Sequence, residues 1–351
     1  MSFWGPGTGL YASGRTRGPA RNPDAPPKDG IRRLLVLNFG QLGDTVLSLP
    51  ALDVLRDHYP DAEFTMVCGM PAHELLNLWG RSDRLFAMDR VRVRDINPIV
   101  GAFLICQSIS GYWKPTPDAV VVIHPISEIN LIAYGARIRR RAGIVPRRGF
   151  FSSLINEPLE GTWKKCHASA SYLALVHQFC GLPAPDLTKP PVPRLELPDA
   201  PVRNGRIAIH VGAGRKERRV PPKVWAEVGN ALHNATGKQI AFVGGPEELG
   251  LADELARSIS GASVLGGGDI LSLARDLAAS GFFIGSDSGP GHLAASVDTP
   301  VLTIIEEHKS LRYRTLGPTT ATVMHRNITD VTPTAIIDAA LRHPVFTGAR
   351  A

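Results

Sequence analysis

One local pattern, occurring twice, constrains this chain more than any other: an apolar stretch, a glycine-bearing turn, a helix with an apolar face, and another apolar stretch. In the first instance residues 32–38 read as a buried strand, Phe39–Gly43 as a turn with two glycines, and Asp44–His58 as a helix with Val46, Leu47, Leu52 and Leu55 on its apolar side. Pro50 falls inside that helix and is expected to kink it. Residues 62–68 form the next strand, and a strand–helix–strand unit of this length implies parallel pairing through a right-handed crossover. The alternation runs on through a helix over 72–80, a strand over 84–88, a helix over 99–109 and a strand over 119–123.

It then breaks. Residues 181–205 hold seven prolines in 25 positions, too many for a helix or a central strand, and read as a linker. A second alternation follows: strands over 206–210, 239–244, 263–265, 282–286 and 301–305, with helices over 222–236, 247–259, 270–279 and 291–296 between them. The expectation is an α/β protein of two doubly wound, Rossmann-like domains facing across a cleft. The boundaries expected are a flexible extension over 1–30, a first domain over 31–190, a linker over 191–205, a second domain over 206–330 and a C-terminal helix and tail over 331–351. The helix at 333–342 is expected to fold back against the first domain.

Composition excludes several classes. With 44% hydrophobic and 20% charged residues in 351, the chain is neither disordered nor fibrous. No apolar run is long enough to span a membrane, and residues 1–30 show no secretory apolar segment, so the reading is cytoplasmic. Cys68, Cys106, Cys166 and Cys180 have neither Cys-x-x-Cys spacing nor scaffold density, and no His, Asp or Glu group has metal-ligand spacing. The net charge of +7 is concentrated: Arg137, Arg139, Arg140, Arg141, Arg147 and Arg148 lie in an acid-free dozen residues. Such a cluster could meet nucleic acid, an anionic membrane surface or an acidic substrate, or is a solvated turn. Without interleaved aromatic residues or a recognised module it does not indicate nucleic acid.

Ligands of open α/β sheets bind beyond the carboxyl ends of strands, which directs attention to three turns. The first, Asn38 to Asp44, lets the backbone approach a ligand at Gly40 and Gly43. Asp44 there is either an N-cap or a carboxylate that accepts a proton. The second runs from His210 to Pro221, where Gly212, Ala213 and Gly214 precede four cations including Arg218, a composition suited to phosphate. It is neither a P-loop nor a dinucleotide fingerprint. The third, Gly285 to Leu293, offers Ser288 and Gly289 at a helix start, Asp287 for sugar hydroxyls and His292 to orient the turn. Glu247 or Glu248, after a Gly-Gly-Pro turn, reads as a ribose partner or a helix-starting acid, and Glu247 is the residue chosen. His124 and His167 read as structural histidines.

Four blocks, in order, resemble one family. RRLLVLNFGQLGDTVLSLPALDVLRDHYPDAEFTMV, KKCHASASYLALVHQFCGL, HVGAGRKERRVPPKVWAEVGNAL and GSDSGPGHLAASVDTPVLTI are similar to segments of the bacterial heptosyltransferases, glycosyltransferase family 9, over about residues 31–320. The resemblance implies a GT-B enzyme with its acceptor on the first domain and its nucleotide sugar on the second. It further implies that heptose is transferred from ADP-heptose to a lipopolysaccharide-core-like hydroxyl, with inversion and without a metal or other cofactor. Asp44 then matches the family's catalytic base, while Gln41, Arg140 and Arg141 are candidates for the acceptor. Gly212, Ala213, Gly214, Arg218, Glu247, Asp287, Ser288, Gly289 and His292 are candidates for the donor. Two departures stand out: Arg218-Arg219-Val220-Pro221 replaces the family's Lys-Arg-Trp-Pro, and Glu306-Glu307-His308-Lys309 replaces its Phe-Gly-Pro-Thr. These leave room for a natural-product tailoring transferase with another nucleotide sugar, or for a non-catalytic nucleotide-sugar binding protein.

Overall fold

A computed structural model describes residues 10–13, 20–88, 115–124, 129–135, 137–145, 149–159, 165–199, 201–214 and 218–348. The helix expected over 99–109, together with Arg147, Arg148 and residues 215–217, lies outside the described residues. Two compact units divide the chain, Met1–Pro190 and Pro191–Ala351.

The first unit is built on a seven-stranded sheet in the order β1-β4-β3-β2-β5-β6-β7. Its strands are β1 (Leu10–Ser13), β2 (Arg33–Asn38), β3 (Glu63–Gly69), β4 (Arg84–Met88), β5 (Ala119–Val122), β6 (Arg140–Ile144) and β7 (Glu157–Leu159). All neighbours are parallel except β1, which pairs antiparallel with β4. The middle strands are apolar on both faces because helices cover both, and Leu35, Leu37, Val67, Val120 and Val122 are buried. The Leu42–His58 helix continues through Pro50 as a single element and packs beside the Ala168–Phe179 helix.

Two expectations change here. Part of the extension foreseen as flexible belongs to the unit: Leu10–Ser13 adds a strand, the Asn22 N–H bonds Asp61 at 2.9 Å, and the Tyr59 hydroxyl bonds Asp29 at 3.1 Å. The arginine cluster is also more than a solvated turn, because Arg140–Ile144 is strand β6, between β5 and β7. Two adjacent arginines at the start of Arg-Arg-Ala-Gly-Ile disguise a strand whose arginines bind its own surroundings.

The second unit has a six-stranded parallel sheet in the order β10-β9-β8-β11-β12-β13. Its strands are β8 (Ile207–His210), β9 (Ile240–Gly244), β10 (Ser263–Gly266), β11 (Phe282–Ser286), β12 (Val301–Glu306) and β13 (Thr320–His325). The Pro222–Thr236 and Ile270–Ala279 helices fall where the apolar periodicity places them. Trp225, Val228, Phe242, Ile284 and Leu302 form the centre of the core. Among the described residues of 181–206 there is no helix or strand, and from Leu195 onward they are tied to the second unit by bonds such as Leu195 N–H to Ser296 C=O. The Pro333–Leu341 helix, expected against the first domain, buries Ile336 and Ala340 in the second unit's own core, beside the Pro222–Thr236 helix. Among the described residues no helix is long and apolar enough to cross a membrane.

Both sheets place their two central crossovers on opposite sides, so the chain leaves adjacent strands in opposite directions. The reversal lies between β2 and β5 in the first unit and between β8 and β11 in the second. The crevice beyond the strand ends at such a reversal is the standard ligand position of this architecture.

Candidate functional site

In the first unit the chain after β2 and the chain after β5 meet at this crevice. Asn38 is buried, donates to Ser48 Oγ at 3.0 Å and accepts the Gly40 N–H at 3.3 Å, which bends the chain into the helix. The helix starts at Leu42 with Gln41 as its N-cap, so Asp44 is the third helical residue and not the cap itself. Its Oδ2 accepts the Gln41 N–H at 3.3 Å, as in a capping box. Tyr172, from the Ala168–Phe179 helix, places its hydroxyl 3.4 Å from Asp44 Oδ1. His124, just past β5, places Nε2 3.4 Å from Asp44 Oδ2.

Gly40 makes this approach possible. A Cβ there would stand 2.6 Å from Asp44 Cβ and 3.2 Å from His124 Cδ2, distances that no side chain tolerates without displacement of its neighbours. His167 fulfils the structural reading, since its ring is buried and its Nδ1 caps the Ala168–Phe179 helix by accepting the Ser169 N–H at 3.2 Å. His124 departs from that reading: its Nδ1 is buried with no partner among the described residues, and its other nitrogen faces Asp44.

The guanidinium groups proposed for the acceptor are used inside the protein. Arg140 makes a two-pronged pair with Glu157, at 2.7 and 2.9 Å, donates to the Phe179 carbonyl at 3.0 Å and stacks over the Phe179 ring. Arg141 donates to the carbonyls of Leu154 and Ile138, both at 2.6 Å. Both side chains tie β6 to the elements beside it.

In the second unit the corresponding crevice joins the turn after β8 to the turn after β11. His210 ends β8, lies opposite Gly285 in the register, and has Ser288 Oγ 3.1 Å from its Nδ1. Burial, and secondarily the nearby Arg219, push the His210 imidazole down to about 4, so it is neutral at physiological pH. Ser288 is the N-cap residue of the Gly289–Ser296 helix, and its carbonyl accepts the Gly291 N–H at 3.2 Å and the His292 N–H at 3.3 Å. His292, buried on that helix, lies with Nε2 3.6 Å from Asp287 Oδ1, and Arg218 Nη1 lies 4.0 Å from Asp287 Oδ2.

Arg218 and Arg219, the arginines of this turn among the described residues, are distinguished by their partners. Arg219 is held tightly, with Nη2 2.5 Å from Glu248 Oε1. Arg218 is held loosely, with Asp287 Oδ2 4.0 Å away. Glu248, with a side chain only 12% exposed, is the inward carboxylate, whereas the Glu247 chosen from the sequence points outward at 83% exposure. The Gly245–Glu248 turn, closed by the Glu248 N–H to the Gly245 carbonyl at 2.9 Å, selects between them, and the sequence carries no separate signal for it. Gly212 fits between Glu248 and His210, since a Cβ on it would lie 3.1 Å from Glu248 Cγ and from His210 Nε2. Ala213 is buried beside it and Gly214 is exposed at the edge of the turn. Among the described residues no group of three or more His, Cys, Asp and Glu is placed to hold a metal ion.

Comparison with known proteins agrees with this architecture. The profile of glycosyltransferase family 9 (heptosyltransferase) matches residues 118–334. That range includes both turns of the second crevice but begins after Asp44. No curated protein matches the chain. Among solved structures, the glycosyl transferase family 9 protein from Veillonella parvula superposes with a TM-score of 0.72 at 19% identity, covering 92% of this chain and 99% of that one. E. coli heptosyltransferase WaaC, solved with ADP, gives 0.72 at 19% identity over 87% of this chain and 98% of that one. E. coli ADP-heptose lps heptosyltransferase II gives 0.71 at 18% identity over 90% and 99%. These likenesses identify the fold as the GT-B type. With the family profile covering more than half of its length, the chain belongs to glycosyltransferase family 9 and is a glycosyltransferase.

Proposed function

We propose that this enzyme transfers heptose from ADP-heptose to a hydroxyl of a lipopolysaccharide-core-like glycan, with inversion at the anomeric carbon and no metal requirement. The observation that carries the reading is the division of chemistry between the two switch points. One presents a carboxylate, Asp44, held by a helix start and flanked by His124 and Tyr172. The other presents Arg218, a helix N-terminus capped by Ser288 and an inward carboxylate, Glu248.

Asp44 accepts the acceptor hydroxyl's proton as its oxygen bonds the anomeric carbon. The bond from that carbon to the diphosphate oxygen breaks, and ADP leaves with the electron pair. Arg218 and the first turn of the Gly289–Ser296 helix stabilise the charge that develops on the diphosphate. Glu248 accepts hydrogen bonds from ribose hydroxyls, and Asp287 from sugar hydroxyls. The choice of ADP-heptose is supported by the similar E. coli proteins, one solved with ADP and the other an ADP-heptose lps heptosyltransferase.

The test is calorimetric titration with ADP-, UDP- and GDP-sugars, ADP-heptose among them, in EDTA, followed by transfer assays on heptose-free lipopolysaccharide core. Tightest binding of ADP-heptose with turnover in EDTA is the expected result. Preference for another nucleotide sugar would redirect the reading to a tailoring transferase. Binding without transfer to any acceptor would make the protein a binding module, and activity restored only by a divalent ion would overturn metal independence.

A further inference from the structure

We infer that His124 is a positioning residue that donates its Nε2–H to Asp44 Oδ2 and sets the orientation of the catalytic carboxylate, without itself taking a proton. This rests on the reading of Asp44 as the base. The arrangement follows from strand order. β2 and β5 are neighbours, with Leu37 opposite Val122 and the Ile123 N–H bonded to the Leu37 carbonyl at 3.0 Å, so the residues just beyond each strand emerge side by side. Gly40 removes the side chain that would otherwise separate them.

The tautomer follows from the surroundings of the ring. Were Nδ1 to carry the proton, a buried N–H would lack a partner among the described residues, and the Nε2 lone pair would face a carboxylate oxygen. With the proton on Nε2, the ring instead points a donor at Oδ2 at a separation of 3.4 Å, and such a bond shortens when substrate excludes water. The Gln41 N–H reaches the same oxygen at 3.3 Å and the Tyr172 hydroxyl reaches Oδ1 at 3.4 Å, so donors from three elements hold the carboxylate. A ring that already carries its proton on the nitrogen facing Asp44 has no lone pair there to receive one. The proton taken by Asp44 therefore returns to solvent and does not pass through His124.

Four variants test this in the full-length enzyme: His124→Gln, His124→Asn, His124→Leu and Asp44→Asn, each assayed for kcat at saturating donor and for donor Kd by calorimetry. Glutamine carries an amide N–H out to the Nε2 position but cannot act as a proton acceptor. Asparagine is too short to reach Oδ2. The expected result is kcat near wild type for His124→Gln and a fall of roughly 10–100-fold for His124→Asn and His124→Leu, with donor Kd unchanged. Wild-type kcat in His124→Asn and His124→Leu would overturn the positioning role. Equal loss in His124→Gln and His124→Leu would make His124 a proton acceptor. Should His124→Leu fail to fold, the order of glutamine over asparagine still decides. Activity retained in Asp44→Asn would overturn the base reading itself. Inactive Asp44→Asn beside fully active His124→Leu would overturn only the present inference.

Discussion

Arg219 and Glu248 meet at 2.5 Å beneath Gly212, and this pair shapes the floor of the turn on which the donor diphosphate is proposed to lie. Glu248→Ala leaves the Arg219 guanidinium with only the more distant Glu247, 3.9 Å away, and Arg219 is 26% exposed, so solvent moderates the loss. A destabilisation of about 1–2 kcal/mol is expected in urea melts, below the range for fully buried pairs. Glu247→Ala, on an 83% exposed side chain, is expected to change stability by less than about 0.5 kcal/mol. Equal effects in the two variants would refute the assignment of Glu248 as the inward carboxylate.

Gly40→Ala would bring a methyl group within 2.6 Å of Asp44 Cβ. Displacement of the turn is expected to cost about 1–3 kcal/mol of stability, and kcat is expected to fall far more than donor affinity changes. Thermal unfolding and steady-state kinetics on one preparation check both, and a fully active, fully stable variant would show that Asp44 and His124 do not need to approach so closely.

Arg140→Ala separates a structural role from an acceptor role. The pair with Glu157 is about one-third exposed on each side, and loss of its hydrogen bonds and of the stack on Phe179 is expected to lower stability by about 1–2 kcal/mol. Acceptor KM is expected to stay at the wild-type value. A selective rise in acceptor KM at unchanged melting temperature would restore the role inferred from charge alone.

His210 links stability to pH. Its imidazole is pushed down to about 4 in the folded chain from an ordinary value of 6.5, so below 6.5 the unfolded chain binds a proton that the folded chain does not. Stability from this group is complete above pH 6.5, falls as the pH drops toward 4 and levels off below that, by about 3 kcal/mol in all. Denaturation of wild type and His210→Gln at pH 7.5, 6, 5 and 4.5 isolates the effect. The difference between the two proteins is expected to shrink as pH falls, and a constant difference would show that His210 is not held neutral.

Much of this protein is determined locally and was legible in the sequence. The alternation of apolar stretches, glycine turns and amphipathic helices specifies two doubly wound sheets, because β and helical periods differ and only parallel pairing suits strands apolar on both faces. The Pro222–Thr236 and Ile270–Ala279 helices coincide with their sequence readings, since proline or aspartate starts and periodic apolar residues are local signals. Strand β6 was hidden because its arginines find partners only in the fold, Glu157 and Phe179 for one and the carbonyls of Leu154 and Ile138 for the other.

Asp44 and the turns after β8 and β11 were recognisable as motifs, each a short contiguous run. What tertiary structure alone decided is which residues face them. Strand order sets β5 beside β2 and β11 beside β8, and so brings His124 to Asp44 across 80 residues of sequence and Ser288 to His210 across 78. One turn directs Glu248 inward and Glu247 outward, although the two are adjacent and chemically identical. Local propensity is written in neighbouring residues, whereas the pairing of distant side chains depends on the order in which strands join a sheet, and that order is settled only when the whole core is packed.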